Sequence, residues 1–173
     1  MTKRKTFISY YHEDEFYKQE FERLFHTLIV NKSVKPGDIN ADNSDNYTKA
    51  LIQKEYLFDT TVLIVLAGPK TRCRKHVDWE ISGALNYQVG GLYAGLVGIL
   101  LPNHPDYKSQ YINPNNLPKR LASNLENGYA EIHNWTPYFH EMAIIINNTY
   151  TRRKTHADKR VNNITQMQKN TCY

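Results

Sequence analysis

Cysteine is scarce in this 173-residue chain, occurring only at Cys73 and Cys172. Two such distant residues do not make the disulfide framework of a small secreted domain. Neither they nor the seven histidines fall at metal-ligand spacing, so no metal site is expected. No apolar run is long enough to cross a bilayer, so no membrane partner is expected. The opening Met1-Thr2-Lys3-Arg4-Lys5 is basic, but Thr6–Tyr10 is too short for a signal-peptide core and carries no cleavage site. The expected location is therefore cytoplasmic. Without an export signal the acceptor patterns at Asn46, Asn147 and Asn163 carry no weight.

Several catalytic motifs are missing as well. Gly68-Pro69-Lys70-Thr71 lacks the earlier glycine of a phosphate loop and has proline before the lysine, so its backbone cannot cradle phosphate. The glycines of 90–95 follow a helix and precede a strand, the wrong order for a dinucleotide fingerprint. There is no nucleophile elbow for a serine triad. The third strand ends Leu66-Ala67-Gly68-Pro69, without the aspartate that a phosphoacceptor receiver needs.

What is present is one globular domain's worth of chain, with 40% hydrophobic and 23% charged residues. The formal net charge is +5, with much of the excess near the two ends, in Lys3-Arg4-Lys5 and in Arg152-Arg153-Lys154 with Lys159-Arg160. Such runs are ordinarily solvated, so nucleic acid is not expected as a partner, while a basic surface suits a phosphate-bearing small molecule. The division expected is a domain over 1–153 and a polar, basic tail over 154–173, frayed beyond about Thr155.

Along the chain, Thr6–Tyr10 reads as a strand and Asp14–Val30 as a helix. Asn31–Asn46 reads as loop, with at most a short strand near Asp38-Ile39. Tyr47–Leu57 reads as a helix with Tyr47, Ala50 and Leu51 inward. Thr60–Ala67 and Gly95–Leu101 are apolar strands of the kind buried on both faces. Lys75–Tyr87 is a helix ended by Gly90-Gly91, and Pro118–Leu125 a short one. Tyr129–Trp135 is a last strand. Tyr138–Arg153 is a last helix, with Phe139, Met142, Ala143, Ile146 and Tyr150 inward. Alternating strands and helices imply an α/β fold, a five-stranded parallel sheet of flavodoxin-like order 2-1-3-4-5 with helices on both faces. Its ligand site is expected at the carboxyl ends, around the turns after the first and third strands.

Glu80 stands at that place. Val77, Ile81, Ala84 and Leu85 define a core face, and at about 100° per residue Glu80 lies roughly 60° to one side of Val77. His76 and Gly83 share its flank. A solvated glutamate, or a partner for Lys75, is the plainer reading of the same spacing. Trp79 lies about 200° from Val77 and is expected to point outward, where it suits an assembly surface.

Phe7-Ile8-Ser9-Tyr10 followed by acidic residues, the strand Val62–Leu66, and Arg74-Lys75-His76-Val77-Asp78-Trp79-Glu80-Ile81 together resemble a TIR domain. Within that family the likeness is to the bacterial TIR-like proteins of the Thoeris anti-phage defence system, its B subunit, over about residues 3–153. The resemblance implies cleavage of NAD between nicotinamide and ribose, giving a cyclic ADP-ribose isomer as a second messenger for a separate effector protein. It implies NAD as substrate rather than cofactor, a phage-derived trigger and self-assembly. It makes Glu80 the catalytic glutamate. Ser9, Tyr10, Tyr11 and His12 match the substrate-lining strand end and loop, and Asp38 lies in the variable loop. His76 stands where many TIR enzymes carry tryptophan, a departure bearing on activity. A hydrolase giving ADP-ribose, a non-enzymatic interaction module and a nucleoside deoxyribosyltransferase-like enzyme remain the alternatives.

Overall fold

The computed structural model describes residues 2–35, 37–40 and 42–172. Numbering only the main sheet, its strands are β1 (Arg4–Ser9), β2 (Ile29–Asn31), β3 (Val62–Ala67), β4 (Gly95–Leu100) and β5 (Glu131–Asn134). They pair in parallel in the order β2-β1-β3-β4-β5, with Thr6 opposite Val62, Val62 opposite Gly95 and Val97 opposite Glu131. Every residue of β3 and β4 is buried, because helices cover both faces of the sheet. The period of two divides the strands cleanly. Phe7, Leu63, Val65 and Leu96 pack under α3 (Lys75–Ala84) and α4 (Lys119–Glu126). Ile8, Ile64, Leu66, Val97 and Ile99 pack under α1 (Glu15–Phe25) and α5 (Phe139–Thr155).

The second strand is not near Asp38-Ile39 but at Ile29–Asn31. Helix α1 stops at Phe25 rather than running on to Val30. The β-branched pair Ile29-Val30 instead joins the sheet edge, opposite Arg4 and Lys5, so strand pairing outweighs the helical periodicity that continues through this segment.

The helix before β3 is α2 (Asp45–Leu51), capped by Ser44 Oγ accepting from Tyr47 N and continued by a π-helical stretch over Ile52–Leu57. The inward residues are Thr48, Ile52 and Leu57, not Tyr47, Ala50 and Leu51. The wider π-turn lengthens the contact spacing from four residues to five, which re-aims the face. In α5, Met142, Ala143 and Ile146 point inward as expected, whereas Phe139 is 40% exposed and Ile145 and Thr149 are buried. Gly90 and Gly91, both at positive φ, turn a small antiparallel ribbon joining Gln88–Val89 to Leu92–Tyr93.

Gly83 belongs to this packing rather than to the site beside Glu80. A Cβ added there would lie 2.6 Å from Leu57 Cδ1 and 3.2 Å from Gln53 Cγ. Gly83→Ala is therefore expected to lower stability by about 1–3 kcal/mol through overpacking, read from the urea midpoint. An unchanged midpoint would contradict this close approach.

The largest departure from expectation is the C-terminal segment, which is docked rather than frayed. After α5, residues 160–172 run along the outer side of α3, from its carboxyl end to its start. Arg160 Nη1 donates to Leu85 O at 2.7 Å and Asn162 Nδ2 to Ser82 O at 3.1 Å. Met167 N donates to Asp78 Oδ2 at 2.8 Å, and Thr171 N to Cys73 O at 3.1 Å. A Cys73–Cys172 disulfide closes the strap across 99 residues, so the pair that spacing set aside is bonded. Beneath it, Arg120, fully buried, pairs with Asp78 at 3.0 Å and donates to Asn162 Oδ1 and Ile164 O. Trp79 leaves the outer side of α3 as its angle predicts, but it is covered rather than exposed. It is 2% exposed, its indole N–H donates to Met167 O at 2.8 Å, and the strap occupies the surface an assembly partner would have used.

Candidate active site

At the carboxyl ends of β1 and β3 the chain leaves toward opposite faces of the sheet, opening the crevice where such folds hold ligands. A cavity of about 640 Å³ occupies it, within the range for small-molecule sites. Tyr10, Tyr11 and His12 line it from the loop after β1. Lys35, Gly37 and Ile39 close it from the loop after β2, and Asp45 and Thr48 from α2. Arg74, Lys75, His76, Val77 and Glu80 form the α3 wall, and Asn170 comes from the strap.

Glu80 reaches inward from the second turn of α3. Ser9, fully buried at the end of β1, donates its Oγ–H to Glu80 Oε2 at 2.5 Å. Burial pushes the Glu80 carboxyl up to about 8, opposed in part by the Ser9 hydrogen bond. The side chain still borders the cavity, and the residue is only half-buried, which tempers the desolvation. Lys75 does not pair with it, since Lys75 Nζ bonds Asp45 at 2.9 Å.

The other expected site residues separate by geometry. Tyr10 lines the cavity and donates its hydroxyl to Glu15 Oε2 at 3.1 Å. Burial, then that bond, raises its phenol well above the usual value. Tyr11 and His12 lie together with ring centroids 4.2 Å apart, and Arg74 stacks over Tyr11 at 3.8 Å. His76 borders the cavity and tilts against Trp79, with centroids 5.0 Å apart. His76 is exposed, and partial desolvation of its ring, then the like charge of Lys75, holds the imidazole below its usual range. Ser9 does not line the cavity; its position is beneath the carboxylate. Asp38 also lies outside the lining, exposed, accepting from Lys35 N at 3.0 Å while Gly37 and Ile39 face inward.

Among the other cavity residues, Arg74, Lys35 and Asn170 bring polar or charged groups that carried no expectation. Arg74 stands at the start of the helix that carries Glu80, Lys35 in a loop, and Asn170 in a tail expected to be frayed. No local signal marks Asn170, because only tertiary docking brings it here. Among the described residues, no group of three or more His, Cys, Asp or Glu could hold a metal ion, and no helix is long and apolar enough to cross a membrane.

A parallel sheet of this order, with a glutamate-bearing helix at its switch point, defines a TIR-like α/β domain. The family model for the TIR-like domain of the Thoeris protein ThsB matches residues 7–106, which is 100 of the 173 residues, and the chain belongs to that family. Membership associates it with anti-phage defence. No curated protein matches the chain. The matched span holds Glu80 and the β1 loop but ends before β5, α5 and the strap.

Proposed function

We propose that the protein cleaves NAD between nicotinamide and ribose, and that Glu80 is its catalytic carboxylate. The observation that carries this reading is the Glu80 carboxyl, held by a buried Ser9 at the edge of a dinucleotide-sized cavity. As the C1′–N bond breaks, its electron pair passes to the pyridinium nitrogen and nicotinamide leaves neutral, without a general acid. Positive charge develops on the ribose, and an anionic carboxylate beside it stabilises that transition state.

Ligand-free Glu80 is largely protonated at neutral pH, given a carboxyl pushed up to about 8. The cationic nicotinamide ring entering the cavity favours the ionised form. Substrate binding thus helps create the charge that catalysis uses. Capture of the ribose cation by a nucleophile of the same molecule, with loss of its proton, gives a cyclic ADP-ribose isomer; capture by water gives ADP-ribose. The cyclic product, acting on a separate effector in the cytoplasm after a phage trigger or self-assembly, fits the Thoeris family. Burial of Trp79 weakens one of the two grounds for an interaction-only reading, the other being His76 in place of tryptophan.

The test is incubation of the purified chain with NAD, alone and with phage lysate, followed by chromatography and product mass. Nicotinamide release is expected. The two ribosyl products differ by one water, so mass separates cyclase from hydrolase. Undiminished NAD under both conditions would overturn the reading.

A further inference from the structure

We infer that Arg74, supported by Asn170, is the subsite for the pyrophosphate of a dinucleotide, an inference that deepens the NAD reading and rests on it. Arg74 immediately precedes α3 in extended backbone, φ −100° and ψ 118°. Its guanidinium lies over the Tyr11 ring at 3.8 Å, on the cavity wall. Its Nε is buried and has no hydrogen-bond partner among the described residues. Buried guanidinium N–H groups are rarely left unpaired. The neighbouring lysines are engaged instead, Lys70 with Glu13 and Lys75 with Asp45. Nε, being buried, does not face the open cavity; stacking on an aromatic face fixes the plane of the half-buried guanidinium and leaves its two Nη groups, which donate to no described residue, as the donor fork for a bidentate anion such as phosphate.

The charges facing this corner agree. Of the cavity's acids, Asp45 is bound to Lys75 and Glu15 accepts from Tyr10, while Glu80 is held by Ser9. Lys35 and His12 add basic groups to the lining. Asn170 Oδ1 accepts from Lys75 N at 3.0 Å. Its Nδ2 shows no partner among the described residues, so a donor remains beside Arg74. The disulfide two residues on holds Asn170 in place. Six residues of helix rise span about 9 Å between Arg74 and Glu80. That separation, shortened by the reach of both side chains, accommodates a ribose between the bond to be broken and the phosphates.

The experiment is calorimetric binding of ADP-ribose and of adenosine to wild type, Arg74→Gln and Arg74→Lys, with thermal melts and intact masses confirming fold and disulfide. ADP-ribose affinity is expected to fall about tenfold or more in Arg74→Gln, and the preference for ADP-ribose over adenosine to fall with it. Arg74→Lys, which keeps the charge but not the fork, is expected to lie between. Equal ADP-ribose affinity in a folded Arg74→Gln protein overturns the subsite. Wild type that binds ADP-ribose through Arg74 but leaves NAD intact supports the subsite and counts against NAD cleavage. Wild type that binds no ADP-ribose overturns the subsite, and nicotinamide release from NAD then decides the cleavage reading separately.

Discussion

Replacing Glu80 with Gln is expected to lower NAD turnover by about a thousandfold, the scale seen when one group that stabilises transition-state charge is removed, and at the same time to stabilise the fold above neutral pH. The amide keeps the length of the side chain and an oxygen for Ser9 to donate to, so the geometry survives while the ion is lost. The stability effect follows from linkage. The Glu80 carboxyl is raised from an ordinary value of 4.5 to about 8 in the folded protein, so the folded state holds a proton that the unfolded chain releases. Its contribution is fully present below pH 4.5, declines above it, and is lost as pH passes 8. Wild type should therefore lose melting temperature relative to the Gln variant from pH 4.5 to about 8, the window those two values bound. Scanning fluorimetry across that range reads it. In the wild type, kcat/KM should rise with pH up to about 8, where the free carboxyl ionises. The kcat profile should break at lower pH, because the bound nicotinamide cation favours the anion. Undiminished turnover in the variant would remove Glu80 from the mechanism. A melting difference that stays constant with pH would remove the buried carboxyl from the stability argument.

Opening the Cys73–Cys172 bond, by Cys172→Ser or by dithiothreitol, is expected to lower stability by about 2–5 kcal/mol, as for native disulfides that close long loops; this one closes 99 residues. Four hydrogen bonds lie near the bond and should loosen with it: Thr171 N to Cys73 O, Lys75 N to Asn170 Oδ1, Met167 N to Asp78 Oδ2 and Trp79 Nε1 to Met167 O. The urea midpoint of reduced against oxidised protein measures the effect, and Trp79 fluorescence should shift as the indole gains water. Dithiothreitol also reproduces the thiol state that a reducing cytoplasm favours. Equal midpoints and unshifted fluorescence would show that the strap holds by its hydrogen bonds alone.

The two predictions rest on features that differ in how far the sequence revealed them. Strands β3 and β4 stand out as unbroken apolar runs because both of their faces are buried, and no other short element bears that pattern. From their rhythm with the helices came the 2-1-3-4-5 order and the place of the crevice. Glu80 could be located because helical geometry is local: residues within two turns fix an angle, and the angle pointed to the core edge. The same rule misled for Trp79. Angle predicts which way a side chain leaves its helix, but not whether another segment lies over it.

The strap was invisible for a related reason. Residues 160–172 are polar and aperiodic, a composition that ordinarily signals solvation. Here the asparagines, glutamine and backbone amides satisfy polar groups on α3 and α4, in an extended path with no hydrophobic period to detect. Such pairings depend on partners distant in sequence, 37 residues for Asn124 with Val161 and 95 for Lys75 with Asn170. Local pattern was sufficient for the sheet order, the central strands and the Glu80 wall of the cavity, because burial on a strand or helix face leaves a period in the chain; it misplaced β2, the end of α1 and the inward face of α2, where edge pairing and a π-turn override that period. The seat of Ser9 under the carboxylate, the place of Asn170 beside Arg74, the cover over Trp79 and the Cys73–Cys172 bond came from long-range docking, which leaves no such period.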